Sequence, residues 1–207
     1  GHSMHSFYSN ATQPYHYAGY SIFGAEVAST TNEMLLFRYL LDRSSDREFR
    51  AFLLGHLADE IRGTIFRQTM FAEFELLAHE LVEQGIPLSD LLNEKYAGLN
   101  ALYYGPEVDA DPLIAVEWAR IPHFYYNFYV YKYATGMSAA IQLAERLASG
   151  DPAGREAYFG FLKAGDSKDV LDIMKDAGVD LSTPAPVEAA LGYFRSTVGQ
   201  LRRELGR

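Results

Sequence analysis

The sequence predicts an all-α protein, and three observations carry that prediction. Apolar residues recur at spacings of three and four over long stretches. Proline falls between those stretches rather than inside them. No stretch alternates apolar and polar residues as a half-buried strand would. The elements follow in order. Residues 20–42 lack proline and place Leu35, Leu36, Tyr39 and Leu40 at helical spacing. In the next stretch Phe49, Phe52, Leu53, Leu57, Ile61, Ile65, Phe74, Leu77 and Leu81 step by three, four or their multiples. Ser45 or Asp46 stands where an N-cap belongs, and Gly85 followed by Pro87 ends the segment, giving one helix of roughly ten turns. A shorter helix runs from a cap at Ser89 to about Tyr103. "YGPEVDADPL", residues 104–113, is a turn-rich break. A further helix starts near Pro122, carries an aromatic run and stops before Gly150. Three shorter helices, 152–164, 167–176 and 187–205, complete a single helical domain of residues 1–207.

Composition narrows the function classes. A formal net charge of −9 argues against nucleic acid or an anionic membrane as the main partner. Cysteine is absent, so metal ligands must be His, Asp or Glu, and a cytoplasmic location is consistent with that absence. No apolar run approaches the ~18 residues that span a bilayer. Fifteen tyrosines and thirteen phenylalanines against one tryptophan imply either thick helix packing or a tyrosine-lined peptide cleft.

The sequence opens with "GHSMHSFYSN". His2 and His5 lie three apart and share a helix face. Zinc peptidases commonly set two histidines four apart on one helix, with a glutamate between them as general base. Alone, a His-x-x-His pair on an exposed helix reads more readily as solvated than as liganded. The stretch that follows, "QPYHYAGYSIFGAEVASTTNE", changes the weight of that reading. Together these segments closely resemble the zinc-binding core of the oligoendopeptidase F family of metallopeptidases, relatives of thimet oligopeptidase. A second piece, "RIPHFYYNFYVYKYATG" at residues 120–136, resembles the family's His and Tyr cluster. The two pieces occur in the family's order, and weaker likeness in helical character covers the rest of the chain.

The resemblance implies a multi-helix, zincin-type catalytic-domain portion that hydrolyses short peptides with one zinc ion. The leading Gly-His is the tail of the family's His-Glu-x-Gly-His motif, so His2 is a zinc ligand, and the glutamate of "AEVAST", Glu26, is the third. Glu33, two helical turns on, supports the ligands, and His5 lies beside them on its own helix. His123 matches the family histidine that holds the peptide backbone and the developing oxyanion. Tyr126 and Tyr133, seven apart, are the matches for its two tyrosine hydroxyls, leaving Tyr125, Tyr129 and Tyr131 to packing; this choice rests on helical phase.

The chain departs from the family at one point: it starts one residue before the last histidine of the motif. The first zinc histidine and the catalytic glutamate are expected upstream of Gly1. Residues 1–207 then read as a C-terminal portion that is inactive alone and binds zinc weakly or not at all. The missing N-terminal half, supplied as another chain, would be a partner, and His5 or His16 could recruit a metal with lower affinity. A rival reading treats the chain as a non-catalytic helical interaction module that self-associates through bared apolar faces. His56 and His79 read as surface or packing residues. Glu73, Glu75, Glu80 and Glu83 read as a solvated charged face. Trp118 reads as core, Lys132 as snorkelling to solvent, and "YAGY" at 17–20 as a connector.

Overall fold

The computed structural model describes residues 1–88 and 90–206. The expected cap at Ser89 lies outside them. Every regular element among the described residues is helical, and none of these helices is long and apolar enough to cross a membrane. Packing divides the chain into two compact units, Gly1–Ile61 with Thr135–Arg207, and Arg62–Ala134.

The first unit holds α1 (His2–Thr12), α2 (Ile22–Arg43), α3 (Arg47–Ile61), most of α6 (Tyr131–Ala148), α7 (Pro152–Ala164), α8 (Val170–Asp176) and α9 (Ala185–Glu204). Capping chosen by sequence starts several of them: Ser21 accepts from the Gly24 amide, Asp151 from those of Ala153 and Gly154, and Asp169 from that of Leu171. The core gathers Val27 and Ala28 of α2, Ala139, Ala140 and Leu143 of α6, Tyr158, Phe161 and Leu162 of α7, and Ile173 and Met174 of α8. Small residues of α2 and α6 line this core together with the larger aromatics of α7. Two clamps fix the outer helices. Thr12 Oγ1 and Gln13 Nε2 each donate to the Lys163 carbonyl at 2.9 Å, joining the end of α1 to the end of α7. Arg47 donates to the Glu204 and Arg203 carbonyls, and Arg50 Nε donates to Glu204 Oε1 at 2.7 Å, tying α3 to the last turn of α9.

The second unit is built on α4 (Arg67–Glu83) and α5 (Leu91–Tyr104). Met70, Phe71 and Phe74 of α4 pack with Leu92 and Tyr96 of α5 and with Ile121 and Val130. The expected long helix is present from Arg47 to Glu83 with one π turn, Arg62–Phe66, containing Gly63 and Thr64, two weak helix formers that tolerate the wider turn.

The expected helix from Pro122 is corrected. Pro112–Arg120 and Pro122–Tyr126 are 3-10 turns, and α6 begins only at Tyr131. Asn127 and Phe128 both take positive φ, 45° and 54°, which no α-helix accommodates. Tyr126 and Tyr133 therefore do not share a helix, and the phase argument that paired them does not apply.

Candidate active site

In the first unit, α1 delivers His2 and α2 delivers Glu26. His2 Nε2 lies 3.9 Å from Glu26 Oε1, and both side chains are half-exposed, at 53% and 54%. The approach depends on glycine: a Cβ on Gly1 would fall 2.3 Å from Ser29 Cα and 2.7 Å from the Ala28 carbonyl oxygen. No other residue lets the start of α1 lie against α2 so closely. Glu33 is exposed two turns along α2 from Glu26.

His5 is buried, at 1% exposure. Its ring stacks on Tyr20 with centroids 3.7 Å apart and leans on Phe161 at 5.0 Å. Tyr20 in turn meets Ser6 Oγ at 2.5 Å, so "YAGY" is a pinned connector. His5 Nδ1 has no hydrogen-bond partner among the described residues. Burial, aided by the charge of His2, pushes the imidazole down to about 4. Because the folded value lies below the unfolded 6.5, the unfolded chain takes up the proton first as pH falls, and stability declines between about pH 6.5 and 4. His5→Phe keeps a stacked ring and removes the titrating nitrogen. It is expected to flatten that stretch of a pH–Tm profile, and an unchanged slope would exclude His5 as its source.

A zinc ion sits about 2.0–2.2 Å from nitrogen and oxygen ligands, so two donors 3.9 Å apart are within reach of one ion. One imidazole and one carboxylate suit zinc chemically. They are a pair, and among the described residues no group of three or more His, Asp or Glu side chains is arranged to hold a metal. His16 is exposed beside Tyr17. A cavity of about 560 Å³ in this unit, lined by Arg38, Arg50, Glu145 and Tyr193 among others, includes none of the expected site residues.

In the second unit, His123 and the tyrosines come together. Tyr133 Oη lies 3.3 Å from His123 Nε2. Tyr126 approaches the same imidazole edge-on at 6.4 Å and is 65% exposed. Tyr129, which helical phase assigned to packing, stacks on His123 at 5.7 Å with an interplanar angle of 18°, and its ring also meets Tyr133 at 5.5 Å. Lys132 lies with Nζ 5.2 Å from the Tyr129 ring centre. Tyr125 is 84% exposed, so it is not a packing residue of this chain.

The turn that gathers these rings is strained, since a left-handed backbone costs an L-residue about 1–2 kcal/mol. Asn127 tolerates it; Phe128 does not. Two residues of α4 hold Phe128 in place. Glu75 Oε1 accepts its backbone N–H at 2.7 Å, and His79 stacks on its ring at 4.5 Å. Glu75 is buried, at 3% exposure, which corrects its assignment to a solvated face. Its place four residues after Phe71 on the apolar stripe was the available signal. Glu73 is also engaged, accepting from Tyr103 Oη at 2.9 Å; burial and this carboxylate push the phenol up to about 12.

The second unit also holds an ionic network centred on the buried Glu117 carboxylate. Glu117 Oε1 accepts from Arg67 Nη2 at 2.6 Å and Arg120 Nη2 at 2.5 Å, and its Oε2 accepts from Tyr96 Oη at 2.7 Å. Arg67 also donates to Tyr104 Oη at 3.2 Å. The network ties the 3-10 segment preceding Pro122 to α4 and α5.

Comparison with known proteins places these geometries in context. The model of Peptidase family M3 matches residues 1–193. Oligopeptidase PepF of Bacillus subtilis is 50% identical over 207 residues, covering 99% of this chain and 31% of the relative. The chromosomal oligoendopeptidase F of Lactococcus lactis subsp. cremoris is 47% identical over 204 residues, covering 98% and 34%. The crystal structure of oligoendopeptidase-F from Enterococcus faecium superposes with a TM-score of 0.91 at 46% identity, covering all of this chain and 38% of that one. The chain thus spans about a third of the length of the curated relatives it matches.

Proposed function

This chain belongs to peptidase family M3, and from that premise we propose that it forms the C-terminal part of a zinc oligoendopeptidase acting on short peptides. The observation that carries the reading is the half-exposed His2–Glu26 pair at 3.9 Å. His2 and Glu26 would supply two zinc ligands, with Glu33 and the packed His5 supporting them from α2 and α1. When bound, the zinc would polarise the scissile carbonyl and lower the pKa of water. The third ligand and general base would come from outside residues 1–207, which by themselves are expected not to turn over peptide. A cytoplasmic location accords with the absence of cysteine.

His123, Tyr126 and Tyr133 would hold the peptide and its developing oxyanion. The pairing of Tyr133 with His123 bears on how. An imidazole protonated on Nε2 donates to the Tyr133 oxygen, which frees the phenol proton for the substrate. Donors aimed at a developing oxyanion commonly account for 10²–10³-fold in rate, roughly. The full-length protein carrying this chain, assayed on a short quenched peptide, is expected to lose cleavage with a chelator and regain it with zinc. Full-length protein that cleaves no such peptide with zinc present would sink the proposal.

A second reading, a helical interaction module, draws support from the exposure of Leu36, Tyr39 and Phe52 on α2 and α3. Stoichiometric zinc at micromolar concentration on purified residues 1–207 would contradict it.

A further inference from the structure

We propose that Glu75 is a positioning residue: its carboxylate holds the left-handed turn at Asn127–Phe128, and that turn sets His123 against Tyr129 and Tyr133. The inference rests on the reading above that this cluster receives the substrate. The cluster is divided by the turn. His123 and Tyr126 precede it, and Tyr129 and Tyr133 follow it. Both flanks are anchored: Phe124 packs on Phe71 and Phe74 at 5.7 and 5.5 Å, and Val130 is fully buried. With the flanks fixed, the conformation of residues 125–129 decides how the two halves face each other.

Phe128 has no intrinsic reason to hold a φ of 54°. Its amide and its ring are both gripped from α4, by Glu75 and by His79 one turn later. A strained residue persists where its surroundings over-determine it, and such residues gather at functional sites. Without the carboxylate, Phe128 relaxes to negative φ and the chain direction changes between Tyr126 and Tyr129. The His123 stack on Tyr129 and the 3.3 Å approach to Tyr133 are then lost. Glu75→Gln keeps an acceptor oxygen for the same amide; Glu75→Ala does not.

The test uses residues 1–207 with ¹³C-labelled histidine, the His123 ring signal being assigned with His123→Gln. Glu75→Ala is expected to move that signal to the position of a solvent-exposed imidazole, and Glu75→Gln to leave it in place. The Phe128 amide of the unmodified chain is expected to exchange at least about tenfold more slowly than an unprotected peptide amide. That measurement decides the matter if Glu75→Ala does not fold. An unprotected Phe128 amide, or a folded Glu75→Ala chain with an unmoved His123 signal, overturns the role of Glu75. In the full-length protein, Glu75→Ala is expected to lower kcat about ten- to a hundredfold with KM nearly unchanged, and Glu75→Gln to restore it. A displaced His123 signal with unchanged kcat overturns the substrate-binding reading of the cluster while leaving Glu75 as the residue that sets its geometry.

Discussion

Glu26→Ala in the full-length protein is expected to reduce zinc-dependent peptide cleavage at least a hundredfold and to release the metal. Replacing outer-shell partners of a metal already costs about 10–100-fold in affinity or activity, and a direct ligand contributes more. The loss should be separable from unfolding. An exposed ion pair is worth about 0–1 kcal/mol, and His2 and Glu26 are each half-exposed, so Tm of the two proteins compared without metal should scarcely differ. His2→Ala should behave alike, and the double variant should be little worse than either single one, because ligands of one ion act as a unit. Metal content and kcat/KM at fixed free zinc measure both effects. A Glu26→Ala protein that keeps its zinc and its cleavage removes this residue from the site.

The largest effect on stability is expected at Glu117. Its carboxylate is almost wholly buried and serves three donors, so Glu117→Ala leaves the buried Tyr96 hydroxyl without this acceptor and the Arg67 guanidinium without its counter-ion. Removing one partner of a buried ion pair costs about 3–5 kcal/mol. For a chain of this size that lowers Tm by roughly 10 °C. Arg120→Ala should cost far less, since the Arg120 side chain is 74% exposed. Trp118 reports on this unit directly, because its Nε1 donates to Asn93 Oδ1 at 2.9 Å. The pH dependence has a definite sign. Burial pushes the Glu117 carboxyl up, but hydrogen bonds from Tyr96 and Arg67, with the charges of Arg67 and Arg120, outweigh it and hold the group below its ordinary 4.5. The unfolded chain therefore takes up the proton first, so the contribution is complete above about pH 4.5 and fades as pH falls through the folded value. Tm of the unmodified protein should drop more steeply below pH 4.5 than that of Glu117→Ala; parallel curves would show that Glu117 does not govern acid stability.

Periodicity made the helical class legible, and local chemistry marked several helix ends. Leu53, Leu57 and Ile61 step along α3 and are buried, and Gly85 and Gly150 take positive φ just beyond α4 and α6. The family resemblance named both His2 and Glu26, and the structure brings them together over Gly1, where a side chain would not fit. The segment 120–131 was not legible. Its aromatic run contains no breaker before Asn127, and the departure from helix is fixed by Glu75, 53 positions away in sequence. A non-local contact of that kind leaves no periodic trace. It hid the stacking of Tyr129 on His123 as well as the turn itself. Glu75 was obscured by its neighbours, because Glu73, Glu80 and Glu83 make the stretch look uniformly charged.

The paired donors at Thr12 and Gln13 have a consequence for how the first unit comes apart. An eleven-residue helix of α1's composition is marginal in isolation and would fray from its ends. Its end is instead bonded to the Lys163 carbonyl in the last turn of α7, a helix that buries Tyr158, Phe161 and Leu162. Fraying of α1 from that end must therefore break both bonds to α7, so its last turn opens less readily than a free helix end.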